Sequence, residues 1–319
     1  MIMKKHMLLI AGGGTLGRYT AKELLAAGCR VDVICLEEHT DGNEDLQYFN
    51  LRITEETLPA FLEGRHYDGI VNFICYKDHQ EFFRVYPLLM AHTDHMIFLS
   101  SYRVYADLQH PITESAPRLL DVVSDPVFQA EEDYALPKAR CEDFLRTQCA
   151  GENWTIVRPV ISFSSLRLDM FMYSGKIIPT RAAAGEKVFM PSYAKQLTAG
   201  LDWAGNSGRL IARLLLNADT CGKTYTISTG QNLTWGQVAD IYTELTGVEF
   251  EWTDEEAFLQ ACPMTTNRRQ WAYIYDRKFD RTVDATAVLE AAGFTKEDVT
   301  PIAEGIRIEL ENIGFRKNA

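Results

Sequence analysis

The stretch Tyr134-Ala135-Leu136-Pro137-Lys138 places a phenol four residues before an ammonium. On a helix those two side chains share a face and can enter one pocket. A phenol is a poor base at neutral pH, and a neighbouring cation favours its ionised form, so the pair is a candidate for general acid/base work. Gly12-Gly13-Gly14-Thr15-Leu16-Gly17 fits G-x-G-x-x-G, with Gly12, Gly14 and Gly17 at the pattern positions. Such glycines let the chain turn tightly, let backbone approach a pyrophosphate, and let a helix pack on a strand. Each motif alone is a weak signal; their order along one chain gives them weight. Ser101 follows the apolar run Met96–Leu99, at the strand end where parallel sheets place ligands.

These residues need elements to position them. Met7–Ala11, Val31–Cys35, Ile70–Ile74, Met96–Leu99 and Thr155–Val157 are short apolar runs, as expected for strands buried on both faces. Thr15–Ala27 carries Leu16, Thr20, Leu24 and Ala27 at helical spacing, and Gly28 follows as a helix-ending residue. The glycine loop is therefore expected to join a strand to a helix within a βαβ unit, the context in which it points to a dinucleotide site rather than to a glycine-rich turn without a ligand. Glu37, at the end of the second strand, is positioned for the ribose hydroxyls. No Arg or Lys occurs from Val31 to Leu51, which favours NAD over NADP.

Beyond Arg158-Pro159 the rhythm changes. Residues 163–202 show no strong period. Helices are expected near Ser207–Asn217, Trp235–Thr246, Asp254–Ala261, Asp284–Ala292 and Pro301–Asn312, and Thr224–Ile227 is expected to return to the sheet as a strand. The fold class is α/β: a doubly wound parallel sheet with a smaller, discontinuous C-terminal substrate domain. Residues 1–163 plus about 203–230 form the dinucleotide-binding part, and about 164–202 with 231–319 the substrate part. At about 150 residues per domain, a chain of 319 residues suits two.

Composition narrows the function class. Hydrophobic residues are 46% and charged residues 24%, values of a globular protein. The net charge of −12 opposes binding to nucleic acid. Seven cysteines without C-x-x-C spacing suggest free thiols in a reducing, cytoplasmic setting. The apolar run Met7–Ala11 is too short for a signal peptide, which needs about 7–15 such residues, and no run is long enough to cross a bilayer. His92 and His95 flank a strand start without a cysteine or carboxylate cluster and read as surface histidines, so no metal site is expected. Cys141 and Cys149 read as packing residues. Arg268-Arg269 with Trp271, Tyr273 and Tyr275 could cup a ligand or form an ordinary surface.

Taken together, the chain resembles the extended short-chain dehydrogenase/reductase superfamily, within it the NAD-dependent epimerase/dehydratase group. The matching residues, in order, are the glycine loop, Tyr67-Asp68-Gly69-Ile70-Val71-Asn72-Phe73, Ser100 to Tyr105, Tyr134 to Lys138, Val157-Arg158-Pro159 and Gly222 to Ile227. The resemblance implies a Rossmann fold and an epimerase or oxidoreductase that acts on a sugar hydroxyl or keto group, in particular of a nucleotide sugar. It implies Tyr134 as acid/base, Lys138 holding the ribose and tuning Tyr134, and Ser101 bonding the reacting oxygen. It also implies Thr15 and Leu16 at the pyrophosphate, Asn50 and Leu51 near the adenine, Ile74, Cys75, Tyr76 and Lys77 along the cofactor, Pro159 near the nicotinamide, and a homodimer.

The departures from the family pattern carry expectations of their own. Tyr102 and Arg103 stand where 4,6-dehydratases carry Asp and Glu, so that chemistry is not expected. Ala11 replaces the first glycine, and its methyl is expected to be tolerated beside Gly12. Cys35 replaces the usual acidic residue, and Asn206 stands where Asp is frequent. Pro137 is compatible with a helix only in its first turn, so the helix is expected to begin close to Tyr134. The alternative is a cofactor-sensing or RNA-associated protein on the same fold, because Lys195-Gln196-Leu197-Thr198 and the glycine loop also resemble chloroplast RNA-binding relatives.

Overall fold

The computed structural model describes residues 4–39, 41–149, 151 and 153–317; Met1–Met3, Thr40, Ala150, Glu152, Asn318 and Ala319 lie outside the described residues. Seven strands form one parallel sheet. They are β1 (His6–Ile10), β2 (Arg30–Cys35), β3 (Leu46–Asn50), β4 (Gly69–Asn72), β5 (Met96–Leu99), β6 (Trp154–Pro159) and, after three short strands, β10 (Thr224–Ile227). Their order is β10-β6-β5-β4-β1-β2-β3, a doubly wound Rossmann arrangement. Successive side chains point to opposite faces, so Met7 and Leu9 enter one core with Val31, Val33 and Val71, while Leu8 and Ile10 enter the other with Ile70, Met96 and Phe98. Burial on both faces explains the continuous apolar runs.

The expected strand at Thr224–Ile227 does join the sheet, pairing with Ile156–Pro159 of β6. The edge strand β3 gave no apolar run because Leu46–Asn50 is only partly covered. The segment 163–202 is more regular than its sequence suggests. After β7 (Ile161–Phe163) it holds the helix Ile177–Ala184 and β8 (Val188–Pro191), and it leads into β9 (Leu201–Trp203). β8 pairs with β11 (Phe250–Thr253), and β7 with β9, as two-stranded parallel ribbons. Their partners are remote in sequence, which is why local periodicity missed them. A third core lies beyond the sheet around Phe163, Phe171, Trp235, Tyr242 and Phe258.

The helix after the glycine loop spans Thr15–Ala26, with Gly28 at φ +80° just beyond its end. It packs tightly on the helix Ala204–Leu216. A methyl on Gly208 would lie 2.5 Å from Tyr19 Cβ, so only glycine permits that approach. His95 is a correction. It is buried rather than on the surface, with Nδ1 against Leu215 O (3.0 Å) and Nε2 against Thr155 Oγ (2.8 Å), and burial lowers its pKa. Among the described residues, no helix is long and apolar enough to cross a membrane.

Candidate active site and cofactor cleft

At the C-terminal edge of the sheet the chain leaves β1 through Ala11 at φ +56° and turns through three glycines. A Cβ on Gly17 would lie 2.2 Å from Gly12 O, so this pair sets the helix directly on the loop. A Cβ on Gly14 meets nothing within 4 Å; its free side is the cleft. Gly14 caps the helix without a side-chain bond, and the first turn holds no acidic residue. The uncapped N–H groups and the dipole therefore suit an anionic group. This cradle fits a dinucleotide pyrophosphate, with Thr15, Leu16 and Gly17 on its wall.

Two cavities of about 390 Å³ each meet at Ala11, Gly14 and Phe73 and form one continuous cleft. One runs past Glu37, Leu51, Ile74 and Cys75. There the Glu37 carboxylate lies 3.3 Å from where a Gly13 methyl would stand. The same cavity contains Arg52, one residue past the Val31–Leu51 window that was free of cations. The absence of basic residues was thus a property of the window and not of the pocket. Cys35 is buried beneath, its thiol donating to Glu37 O (3.3 Å), and burial first, then Glu37, pushes the thiol pKa up. Cys35, Glu37 and His39 bring ligand-type atoms within 4.8 Å of one another, but the thiol proton is engaged at the carbonyl.

The second cavity ends at Ser101, Tyr134 and Pro159. Tyr134 immediately precedes the helix Ala135–Gln148, so Pro137 falls in the first turn, where its missing N–H costs nothing. Lys138 is buried, and its Nζ donates to Leu99 O (2.5 Å) while lying 5.4 Å from the centre of the Tyr134 ring. The ammonium is therefore anchored to the end of the strand that leads into Ser101. The Ser101 hydroxyl accepts from Arg103 N (3.2 Å), which leaves its own proton to donate.

Below this group lies a buried ionic anchor that the sequence reading did not single out. Glu142, four residues after Lys138, accepts from Ser100 Oγ (2.6 Å) and from Arg158 Nε (2.8 Å) and Nη2 (2.5 Å). Burial alone would raise its carboxyl, but Arg158 and Arg146 outweigh it and bring the pKa down to about 2. The spacing Tyr134, Lys138, Glu142 was visible on one helix face, whereas the carboxylate's partners Ser100 and Arg158 were not.

Cations also line the reacting end. Arg103, Arg167, Arg268 and Arg277 face the same cavity as Tyr134. The guanidinium carbons of Arg103 and Arg268 lie 4.9 and 5.5 Å from the Tyr134 ring centre. Arg268 belongs to the segment left open between ligand contact and ordinary surface; its neighbours Trp271 and Tyr273 are buried instead. Arg277 lies in a single π-helical turn, Tyr273–Arg277, a geometry with no sequence signature read here.

Not every expected residue reaches the cleft. Gly12 is buried under the loop and acts through packing. Asn50 ends β3 opposite Cys35 and lines neither cavity. Tyr76 is buried against Phe82, its hydroxyl accepting from Asn72 Nδ2 (2.8 Å), and with Lys77 it borders a neighbouring hollow beside Tyr134. Asn206 is buried away from the cleft, bridging Asp202 (2.9 Å) and Thr300 O (2.8 Å). A larger hollow of about 980 Å³ opens at the β10 edge, remote from both the glycine loop and Tyr134.

No protein-family model matches this chain, and no curated protein sequence matches it. Solved structures resemble it along nearly its whole length. Pal from Bacillus thuringiensis superposes with a TM-score of 0.70 at 13% identity, covering 97% of this chain and 98% of its own. UDP-glucose 4-epimerase from Thermotoga maritima, solved with UDP-glucose, gives 0.69 at 15% identity over 96% and 97%. WbmG from Bordetella bronchiseptica, in complex with NAD, gives 0.71 at 15% identity over 98% and 96%. At such identities the likeness is one of fold: this chain shares the Rossmann-type α/β architecture of those structures.

Proposed function

We propose that the chain is an NAD-dependent epimerase or oxidoreductase of the extended short-chain type, acting on a hydroxyl or keto group of a nucleotide sugar. The observation that supports it most is the convergence of Ser101 and Tyr134 on one end of a cleft whose other end is the glycine cradle, with the buried Lys138 ammonium 5.4 Å from the Tyr134 ring centre. In this reading residues 1–163 with about 203–230 bind NAD, and about 164–202 with 231–319 bind the sugar. Gly14 to Gly17 hold the pyrophosphate, Glu37 receives the ribose hydroxyls, and Pro159 lies against the nicotinamide.

NAD, when bound, supplies a hydride acceptor and donor. The chain's own residues handle the proton. Tyr134 takes it from the reacting hydroxyl and returns it to the keto oxygen. Lys138 holds positive charge beside the phenol, and Ser101 donates to the same oxygen. Tyr102 is buried with its hydroxyl accepting from Arg277 Nη1 (3.2 Å), and Arg103 pairs with Asp133 (3.1 Å). Neither supplies the acid and base that elimination of water requires, so the reading excludes a 4,6-dehydratase.

A thermal-shift or calorimetric screen of nucleotide sugars against NAD-saturated protein tests this reading. Stabilisation by NAD, and further stabilisation by a particular nucleotide sugar, is the expected result. Failure to bind NAD at millimolar concentration removes the proposal.

A further inference from the structure

Most of the cations at the reacting end are already neutralised. Arg167 pairs with Asp169 (2.5 Å). Arg277 and Arg281 both pair with Asp276, and Arg103 lies between Asp133 (3.1 Å) and Asp276 (3.6 Å). Burial would raise the Asp276 carboxyl, but Arg277, Arg281 and Arg103 outweigh it and hold it below the usual range, so it stays ionised. With Arg268, five guanidinium groups stand against three carboxylates, and Lys138 adds a further cation bonded only to a carbonyl.

Arg268 is the group left over. Among the described residues it has no carboxylate within 4.0 Å and donates to no acceptor. Its neighbour Arg269 differs: it turns inward to Met172 O (3.5 Å) and Cys262 Sγ (3.2 Å). Arg268 is exposed and lies over the Tyr134 ring. That contact holds the guanidinium against the phenol ring, and its donors, which make no hydrogen bond within the described residues, are free for a ligand at the cavity it lines. None of the nearest acidic side chains pairs with it, although its charge is felt at Asp133. Glu131 accepts from Asn267 Nδ2 (2.9 Å) and Trp271 Nε1 (2.6 Å), Glu132 is paired with Arg140 (2.7 Å), and Asp133 faces Arg103.

An unpaired cation at the mouth of this cavity, on a protein of net charge −12, favours an anion there. The cofactor pyrophosphate belongs at Gly14–Gly17, the other end of the cavity. In the proposed reading the group that meets Tyr134 is the reacting ring itself, and Arg268 lines the same cavity with its guanidinium carbon 5.5 Å from the phenol ring centre. We infer that the sugar ring processed at Tyr134 carries its own anionic oxygen group, a carboxylate or a phosphate monoester, and that Arg268 recognises it. This rests on the nucleotide-sugar reading above and narrows it to acidic sugars.

The test is isothermal titration of NAD-saturated wild type and Arg268→Gln with five probes: UDP-glucuronate, UDP-glucose, UDP alone, glucose 6-phosphate and glucose. The expected result is an acidic sugar bound about tenfold or more tighter than its neutral counterpart, with that preference abolished by Arg268→Gln. UDP-glucuronate over UDP-glucose identifies a carboxylate; glucose 6-phosphate over glucose identifies a phosphate. Equal binding of acidic and neutral sugars overturns the inference. So does an equal loss on UDP alone, which would place Arg268 on the nucleotide diphosphate. Binding of NAD and UDP-glucose without preference for acid leaves the broader function standing, whereas binding of NAD but of no sugar removes both. The melting temperature of Arg268→Gln should match wild type, since the side chain is exposed.

Discussion

At the glycine loop the surface offered to a ligand is backbone, fixed by contacts only five residues apart, Gly12 against Gly17. Around Tyr134 it is side chains drawn from positions 101, 103, 134, 268 and 277, held by buried ion pairs. The first end owes its shape to the absence of side chains, and the second to charged ones in place. One is therefore sensitive to added volume and indifferent to pH. The other tolerates volume less critically and depends on charge.

The sharpest separation of the two ends comes from the phenol. Tyr134→Phe keeps the ring between Arg103 and Arg268 and removes only the proton-carrying oxygen. Turnover is expected to fall by about 10²–10⁴-fold, with NAD affinity in a fluorescence titration unchanged. Full turnover in that variant would remove Tyr134 from the chemistry.

Two alanines divide the glycine loop itself. Gly17→Ala forces a methyl to within 2.2 Å of Gly12 O, a backbone atom that cannot move aside, and should destabilise the fold by about 3 kcal/mol or more. Gly14→Ala meets no protein atom, so the melting temperature should hold while NAD affinity falls. Loss of stability in both, or in neither, would contradict the division between a packing glycine and a ligand-facing one.

At the charged end, Glu142→Gln leaves Arg158 buried with a neutral partner, a change expected to cost about 3–5 kcal/mol by denaturant melts. The carboxyl is depressed from 4.5 to about 2 in the folded state. Its stabilising contribution is therefore complete above the ordinary carboxylate pKa and is lost as pH falls from 4.5 toward 2. Wild type should lose stability across that window more steeply than Glu142→Gln. Identical slopes would mean that the ion pair does not anchor the helix carrying Tyr134 and Lys138.

The same contrast decides what the sequence disclosed. The βαβ unit, the glycine loop and the Tyr134–Lys138 pair are local, and spacing along one strand or one helix turn carries their geometry. The return of Thr224–Ile227 to the sheet was legible because a doubly wound sheet needs another covered strand. The edge strand Leu46–Asn50 was not, since its half-exposed face has no apolar run. Arg268 and Arg277 stand more than 130 residues from Tyr134, in a segment whose composition fitted a surface equally well. Arg52 reaches the same cavity from one residue beyond the cation-free stretch Val31–Leu51, through the fold rather than through its spacing. Side-chain constellations assembled from remote segments have no spacing to read.

The smallest predicted effect concerns the one departure from an all-glycine turn. Ala11 sits at φ +56°, a left-handed conformation that costs a residue bearing Cβ about 1–2 kcal/mol. Replacing it with glycine removes that strain, but the unfolded chain gains freedom worth about 0.4–1 kcal/mol. Ala11→Gly should therefore stabilise the protein by about 1 kcal/mol or less, read as a small rise in denaturant midpoint at constant slope. The methyl borders both cavities of the cleft, so NAD affinity should change with it if the backbone at this end sets cofactor fit. A stability gain without any change in NAD affinity would show that the methyl at position 11 strains the loop but does not shape the ligand's bed.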